Sequence, residues 1–175
     1  KGVDFSLNYK IIQSENLNWG MLFNTSYNEQ EITELVNGID VPTGDIDGGS
    51  NNQVQVHSVG FAPNSFYVYQ QIYDGNGRPI EGAYVDRNGD GAVSAKDKYR
   101  LEKPTADFTF GLSTNLEYKN WDFSMAWRAS YGNYMYNNNF SDKGYLQAGI
   151  RYPDVISNLN SDYLNSGFVQ EGNER

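Results

Sequence analysis

The sequence predicts an all-β chain whose antiparallel strands form part of a large transmembrane β-barrel with long extracellular loops. Three observations predict it. Apolar and polar residues alternate over stretches of ten to twelve residues, about twice the ~5–6 of a soluble strand and close to the ~9–11 that crosses a bilayer at a tilt. Tight turns join these stretches at one end, while segments of tens of residues leave the other, as periplasmic turns and extracellular loops do. Aromatic residues stand toward both ends of the stretches (Tyr118 and Trp121 against Trp127, Tyr131, Tyr134 and Tyr136), where two interfacial girdles belong.

The first element is a hairpin. Phe5, Leu7, Tyr9 and Ile11 alternate with Ser6, Asn8 and Lys10, placing a strand at about 4–13. Leu17, Trp19, Met21, Phe23, Thr25 and Tyr27 alternate with Asn18, Gly20, Asn24 and Ser26, placing another at about 17–28. The loop Ser14-Glu15-Asn16 has odd length, which brings both apolar sets to one face. From about 28 to 105 the chain is polar, with a Gly/Asp/Asn-rich loop from Gly44 to Asn52 and short strand candidates at 54–60 and 65–73.

The second hairpin carries the strongest signal, with strands at about 106–118 and 121–135. Phe108, Phe110, Leu112, Thr114, Leu116 and Tyr118 share one face; Trp121, Phe123, Met125, Trp127, Ala129 and Tyr131 continue it beyond the Lys119-Asn120 turn. Pairing Tyr118 with Trp121 sets Leu116 opposite Phe123 and Leu112 opposite Trp127, so the apolar sets coincide. Phe108, Leu112, Trp121 and Trp127 are expected to face lipid. Thr109, Asn115, Asp122 and Arg128 are expected to face a polar lumen, with Arg128 answering Glu117 or Asp122. The tail, 136–175, reads as loop with a short helix near Pro153–Leu164. Segments 28–53, 74–105 and 136–175 are expected outside the cell.

Composition narrows the function. The 175 residues include 14 Tyr, 9 Phe, 21 Asn and 18 Gly against only 38% hydrophobic residues, which suits strands and polar loops. A net charge of −9 leaves no basic patch for nucleic acid. With no Cys, disulfides and thiol chemistry are excluded, and no apolar run is long enough for a transmembrane helix. No signal-peptide pattern opens the sequence, and four to six strands are too few to close a wide barrel. Backbone groups in hydrocarbon all need partners, so the missing strands are expected from elsewhere.

One motif carries ligand chemistry. Residues 86–97 read Asp-Arg-Asn-Gly-Asp-Gly-Ala-Val-Ser-Ala-Lys-Asp. Oxygen donors fall at Asp86, Asn88, Asp90, the Ala92 carbonyl, Ser94 and Asp97, with Gly91 at the sharp turn, the spacing that wraps Ca²⁺. Asp97 stands where a bidentate Glu is usual, and no helices flank the loop. The same residues also fit an Asx-rich turn that holds no metal. A bound ion would order a loop rather than catalyse. His57, the single His, sits in a strand pattern without a nucleophile elbow. Glu81 with Asp86 is a pair any acidic chain offers, and Gly75-Asn76-Gly77 is a turn rather than a phosphate cradle. No enzyme is expected. The rival to a barrel is a secreted, soluble, calcium-dependent carbohydrate-binding β module.

The set of motifs resembles a known family. Gly60 to Tyr69, Gly82 to Gly91, Asp97, Pro104, Phe108 to Leu112 and Leu116 to Ser124 together look like the C-terminal part of the barrel in SusC/RagA-type TonB-linked outer-membrane proteins of Bacteroidetes, over most of residues 1–135. The resemblance implies a barrel of about 22 strands with an N-terminal plug, energised through TonB in the outer membrane. It implies import of glycans or peptides with a SusD-like lipoprotein as lid. Nothing in residues 1–175 matches the plug, so the whole chain is expected to be barrel.

Overall fold

A computed structural model describes residues 1–46, 52–144 and 158–169. Within them the strands are β1 (Gly2–Gln13), β2 (Leu17–Asn28), β3 (Val41–Asp45), β4 (Gln53–His57), β5 (Ser65–Val68), β6 (Gln71–Tyr73), β7 (Pro79–Tyr84), β8 (Tyr99–Arg100), β9 (Phe108–Tyr118) and β10 (Trp121–Tyr131). One short helix, α1, spans Asn138–Lys143. The fold is all-β, and every strand pair is antiparallel. The chain divides into two units.

The first unit (Lys1–Ile39, Ser58–Pro63 and Glu102–Tyr134) is built on a four-stranded sheet in the order β1-β2-β9-β10. The register sets Tyr118 against Trp121, Leu116 against Phe123 and Leu112 against Trp127, the pairing that alternation requires. β2 joins the two hairpins by pairing along all of β9, from Leu17 against Tyr118 to Tyr27 against Phe108. Both turns therefore lie at one end of the sheet. Lys119 takes φ +53° to close the two-residue turn, and its N–H reaches the Asn16 carbonyl at 2.9 Å, tying that turn to the next.

Three departures from the alternation have local causes. The ladder between β1 and β2 shifts at Lys10/Ile12, so Ile12 and not Ile11 stands opposite Trp19. Ile11 is the extra residue of a β-bulge. β9 begins at Phe108 rather than 106; just before it the Asp107 backbone bonds Asn28 N–H and the Tyr131 carbonyl, each at 2.9 Å, and its side chain pairs with Lys103. β10 stops at Tyr131 rather than 135: Gly132 takes φ +81°, and Tyr134 N–H turns to the Lys103 carbonyl at 3.0 Å.

The second unit (Asp40–His57, Asn64–Leu101 and Met135–Arg175) holds a small sheet in the order β3-β4-β5-β8 and the separate β6-β7 hairpin. Its core is Val54, Val56, Phe66 and Ile80. The expected strand at 54–60 is β4, ending at His57. Gly60 (φ +82°) then turns, and its N–H bonds the Ile32 carbonyl at 2.8 Å. The expected strand at 65–73 is two strands, β5 and β6. Gln70 leaves the ladder, its carbonyl accepting Val85 N–H at 2.9 Å. β3 lies inside the segment read as loop, with Pro42 and Gly44 (φ +71°) breaking its pattern; β7 and β8 lie inside the second loop. In the tail, a 3-10 turn covers Ser161–Asn165. Residues 153–157 of the expected helix, and 47–51 of the Gly-rich loop, lie outside the described residues.

Candidate functional site

Two places carry chemistry: the faces of the long sheet and the loop 86–97. On the sheet, strand parity and register assemble rows four strands wide. One face carries the rows Val3–Tyr27–Phe108–Tyr131, Leu7–Phe23–Leu112–Trp127 and Ile12–Trp19–Leu116–Phe123, ending at Leu17–Tyr118–Trp121. These side chains are not covered by the chain: Val3 is 70% exposed, Phe123 57%, Trp127 53% and Trp121 79%. Four adjacent strands exposing one continuous apolar face is far more than single scattered apolar residues, and marks contact with lipid or protein.

Thr114 shows how that face treats a polar group. It stands among Met21 and Met125. Its hydroxyl accepts the Trp19 indole N–H at 2.8 Å and donates to the Gly20 carbonyl at 3.1 Å. The hydroxyl and the indole are thereby satisfied without water, as a hydrocarbon surround demands.

The opposite face is largely polar, with Leu22 and Ala126 in one row beside Asn8 and Ser113. Its rows are Ser6–Asn24–Gly111–Arg128, Lys10–Gly20–Asn115–Ser124 and Gln13–Asn18–Glu117–Asp122, with Thr109 beside Ser26 and Ser130. Thus Thr109, Asn115, Asp122 and Arg128 share one face, and Phe108, Leu112, Trp121 and Trp127 share the other. The expected partners of Arg128 are corrected by the register. Glu117 and Asp122 lie opposite one another, six residues along the strand from Arg128, which is about 20 Å at ~3.4 Å per residue. Arg128 instead faces Gly111, where an added Cβ would meet the Asn24 side-chain oxygen at 2.5 Å. At the open end the Ser26 hydroxyl donates to Asp4, and Asn28 donates to Ser26 at 2.8 Å.

The loop 86–97 closes on itself. The Asp86 carboxylate accepts N–H from Gly89 and Gly91, each at 2.7 Å; the Asn88 side-chain oxygen accepts from Asp90 at 2.8 Å, and Asp90 from Ala92 at 3.0 Å. Gly89 (φ +73°) and Gly91 (φ +86°) allow the chain to turn inside this ring of Asx contacts. Asp97 is fully buried. It accepts N–H from Ser94 at 2.7 Å, Arg87 at 2.9 Å and Asn88 at 3.1 Å, and its bond with Ser94 completes a capping box. These bonds, Ser94 first, hold its carboxyl below the usual carboxylate range.

The loop's ends are tied to the link between β5 and β6, to β4 and to β8. Arg87 donates to the Gln70 side chain at 2.7 Å and lies 4.7 Å over the Tyr99 ring. Lys98 donates to the Gln53 carbonyl at 2.8 Å and lies 5.3 Å over Tyr69, whose ring also meets Tyr84 at 5.3 Å. Burial pushes the Lys98 ammonium below its ordinary value. The donor set suits a hard cation, all oxygen at alternate positions. Among the described residues, however, no three acidic, His or Cys side chains gather about one point. Asp86, Asn88, Asp90 and Asp97 all spend oxygens on backbone N–H. His57 uses Nδ1 to accept the Asn64 N–H at 3.3 Å, which fixes a left-handed turn at Asn64 (φ +58°).

No model of a protein family matches the chain. It is 42% identical to the TonB-dependent receptor SusC of Bacteroides thetaiotaomicron, over 98% of this chain and 18% of that protein. It is 33% identical to the TonB-dependent receptor P26 of Formosa agariphila, over 78% of this chain and 15% of that protein. Among solved structures it is similar to the RagAB peptide transporter, with a TM-score of 0.62 and 28% identity, over 84% of this chain and 17% of that one. The chain thus spans less than a fifth of the length of these relatives.

Proposed function

The chain belongs to the SusC/RagA-type TonB-dependent receptors, and on that premise we propose that it forms a stretch of barrel wall in an outer-membrane importer of glycans or peptides. The observation that carries the reading is the two-faced sheet, apolar and uncovered on one side, largely polar on the other. Its outer strands β1 and β10 each leave one edge unpaired within the sheet. Long apolar edge strands aggregate in water unless neighbours continue them. In a barrel, the next strands of the receptor do so.

On this reading the apolar rows meet lipid and the Thr109, Asn115, Asp122 and Arg128 side lines the lumen. The tight turns point to the periplasm, and segments 28–53, 74–105 and 136–175 stand outside the cell, near a SusD-like lipoprotein lid. Contact with TonB is assigned to a plug supplied by another part of the receptor. The chain performs no catalysis. The loop 86–97 takes Ca²⁺ through Asp86, Asn88, Asp90, the Ala92 carbonyl, Ser94 and Asp97, where the ion would order an extracellular loop.

The test is deletion of the receptor gene, followed by growth on oligosaccharides or on peptides as the only supply. Loss of growth on one class names the cargo. Unchanged growth on every glycan and peptide tried refutes import. For the ion, calorimetric titration of the whole receptor with CaCl₂ should give a site that Asp90→Ala removes; no heat of binding refutes it.

A further inference from the structure

We propose that Asn37 is a self-modification site, where the Gly38 amide nitrogen attacks the Asn37 side chain and converts it to aspartate and isoaspartate. Asn precedes Gly at three places, Asn37-Gly38, Asn76-Gly77 and Asn88-Gly89. Glycine has no Cβ to shield its nitrogen or restrict its approach, so all three pairs are chemically competent. In the reaction the bond from Gly N to Asn Cγ forms, and the amide proton passes to hydroxide. The Cγ–Nδ2 bond breaks, and Nδ2 takes a proton from water to leave as ammonia. Water then opens the cyclic imide at either carbonyl, giving aspartate or isoaspartate. Only water is consumed.

The fold ranks the three. Attack requires the Asn backbone to swing until the nitrogen meets Cγ, so every bond that holds the turn slows it. At Asn88 both reacting groups are held. The carboxamide accepts Asp90 N–H at 2.8 Å and donates to the Asp90 carboxylate at 3.0 Å, while Gly89 N–H donates to Asp86 at 2.7 Å. At Asn76 the turn is stapled by Asp74. Its carboxylate accepts N–H from Asn76 at 2.9 Å and Arg78 at 2.8 Å and takes the Arg78 side chain at 2.9 Å, and its carbonyl accepts Gly77 N–H at 3.0 Å. Asn37 stands in the 3-10 turn Val36–Gly38. Two backbone bonds hold that turn, Gly38 N–H to the Leu35 carbonyl at 3.0 Å and Ile39 N–H to the Val36 carbonyl at 3.4 Å. Among the described residues nothing bonds the Asn37 side chain. Its backbone is left-handed, φ 58° and ψ 16°, where a Cβ is crowded, so rotation toward the attacking geometry relieves that crowding. Asn37 and Gly38 are both exposed, between Val36 at 86% and Ile39 at 64%. The product therefore sets a carboxylate on an apolar tip, and isoaspartate reroutes the backbone there through Cβ.

The test ages the full-length receptor in mildly alkaline buffer made with heavy-oxygen water, which labels each new carboxylate. Peptides are then sequenced by mass spectrometry, with fragmentation that separates aspartate from isoaspartate. Label should enter at Asn37 roughly tenfold faster than at Asn76 or Asn88, the effect of about 1.4 kcal/mol of extra opening cost at the held turns. The same receptor aged in denaturant should lose that ranking, because the turns that impose it are gone. Asp90→Ala frees the Asn88 carboxamide and should raise the rate at Asn88 while leaving Asn37 unchanged. The proposal is overturned by an unlabelled Asn37 in the folded receptor, by equal rates at the three positions, or by a ranking that survives denaturant. An Asn88 rate that Asp90→Ala leaves unmoved would equally overturn the protection described.

Discussion

Reversing the polarity of one residue at mid-wall tests which face meets lipid. Trp127 lies in the row Leu7–Phe23–Leu112–Trp127, four residues from Tyr131 and six from Trp121. At ~3.4 Å per residue these are ~14 and ~20 Å along the strand. A tilt of ~40° reduces them to about 10 and 16 Å of depth, a total close to the ~25 Å apolar band of a membrane barrel. Trp127 therefore sits in the middle of that band, where Arg costs roughly 2–4 kcal/mol, or roughly 30- to 700-fold in the folding equilibrium. The matched control is Ala126→Arg, one residue away at the same depth but in the polar row with Leu22 and Ser113; it should change stability by less than about 1 kcal/mol. The full-length receptor is refolded into lipid vesicles and titrated with urea, the folded fraction being read from its heat-modifiable band. Trp127→Leu separates loss of the ring from gain of the charge. Equal loss from Trp127→Arg and Ala126→Arg would refute the assignment of faces, and a greater loss from Ala126→Arg would invert it.

Trp19→Phe leaves the Thr114 hydroxyl without its indole donor and should lower stability in the same titration by about 0.5–1.5 kcal/mol; no change would mean that water reaches this face. Gly132→Ala forces a side chain at φ +81° against the Asp107 carboxylate and should cost about 1–2 kcal/mol, whereas Gly20→Ala, with open space above it, should be nearly neutral. Asp97→Asn should speed hydrogen exchange at the Arg87, Asn88 and Ser94 amides that its carboxylate holds, because an amide side chain keeps only one acceptor oxygen. Since the folded carboxyl of Asp97 is depressed, its contribution is complete above the unfolded value of ~3.9 and is lost as pH falls through the lower folded value. Exchange at those amides should thus rise only below about pH 4, and a rise centred near neutrality would contradict the bonding described.

The long hairpins were legible because period-two alternation over many residues leaves one register in which both apolar sets agree. Leu112 against Trp127 and Leu116 against Phe123 follow from counting alone. Ile11 was not legible: alternation ran through it, yet Ser14 N–H bonds the Leu17 carbonyl at 2.9 Å, so the turn closes on two residues, Glu15 and Asn16, and a bulge hands the place of Ile11 to Ile12. β3 was hidden by Pro42 and Gly44, which read as loop residues although the strand pairs with β4 from Val41 against His57. The split of 65–73 was equally hidden, because Tyr69 and Gln70 leave the ladder for partners at Tyr84 and Val85, remote in sequence. In the loop 86–97 the donors were readable from spacing. Their engagement with backbone N–H, and the complete burial of Asp97, depend on where the chain returns.

Residue order by itself determined that the long strands have an apolar and a polar side, since side-chain direction on an extended chain is a local property. It also determined which pairs could meet across each tight turn. Only the tertiary structure decided that β2 lies along β9, across the seventy-nine residues from 29 to 107, and so merged two hairpins into one wall. That pairing brings Gly20 beside Asn115 and Asn24 beside Gly111, contacts that closure of a long loop must fix and that no local pattern encodes.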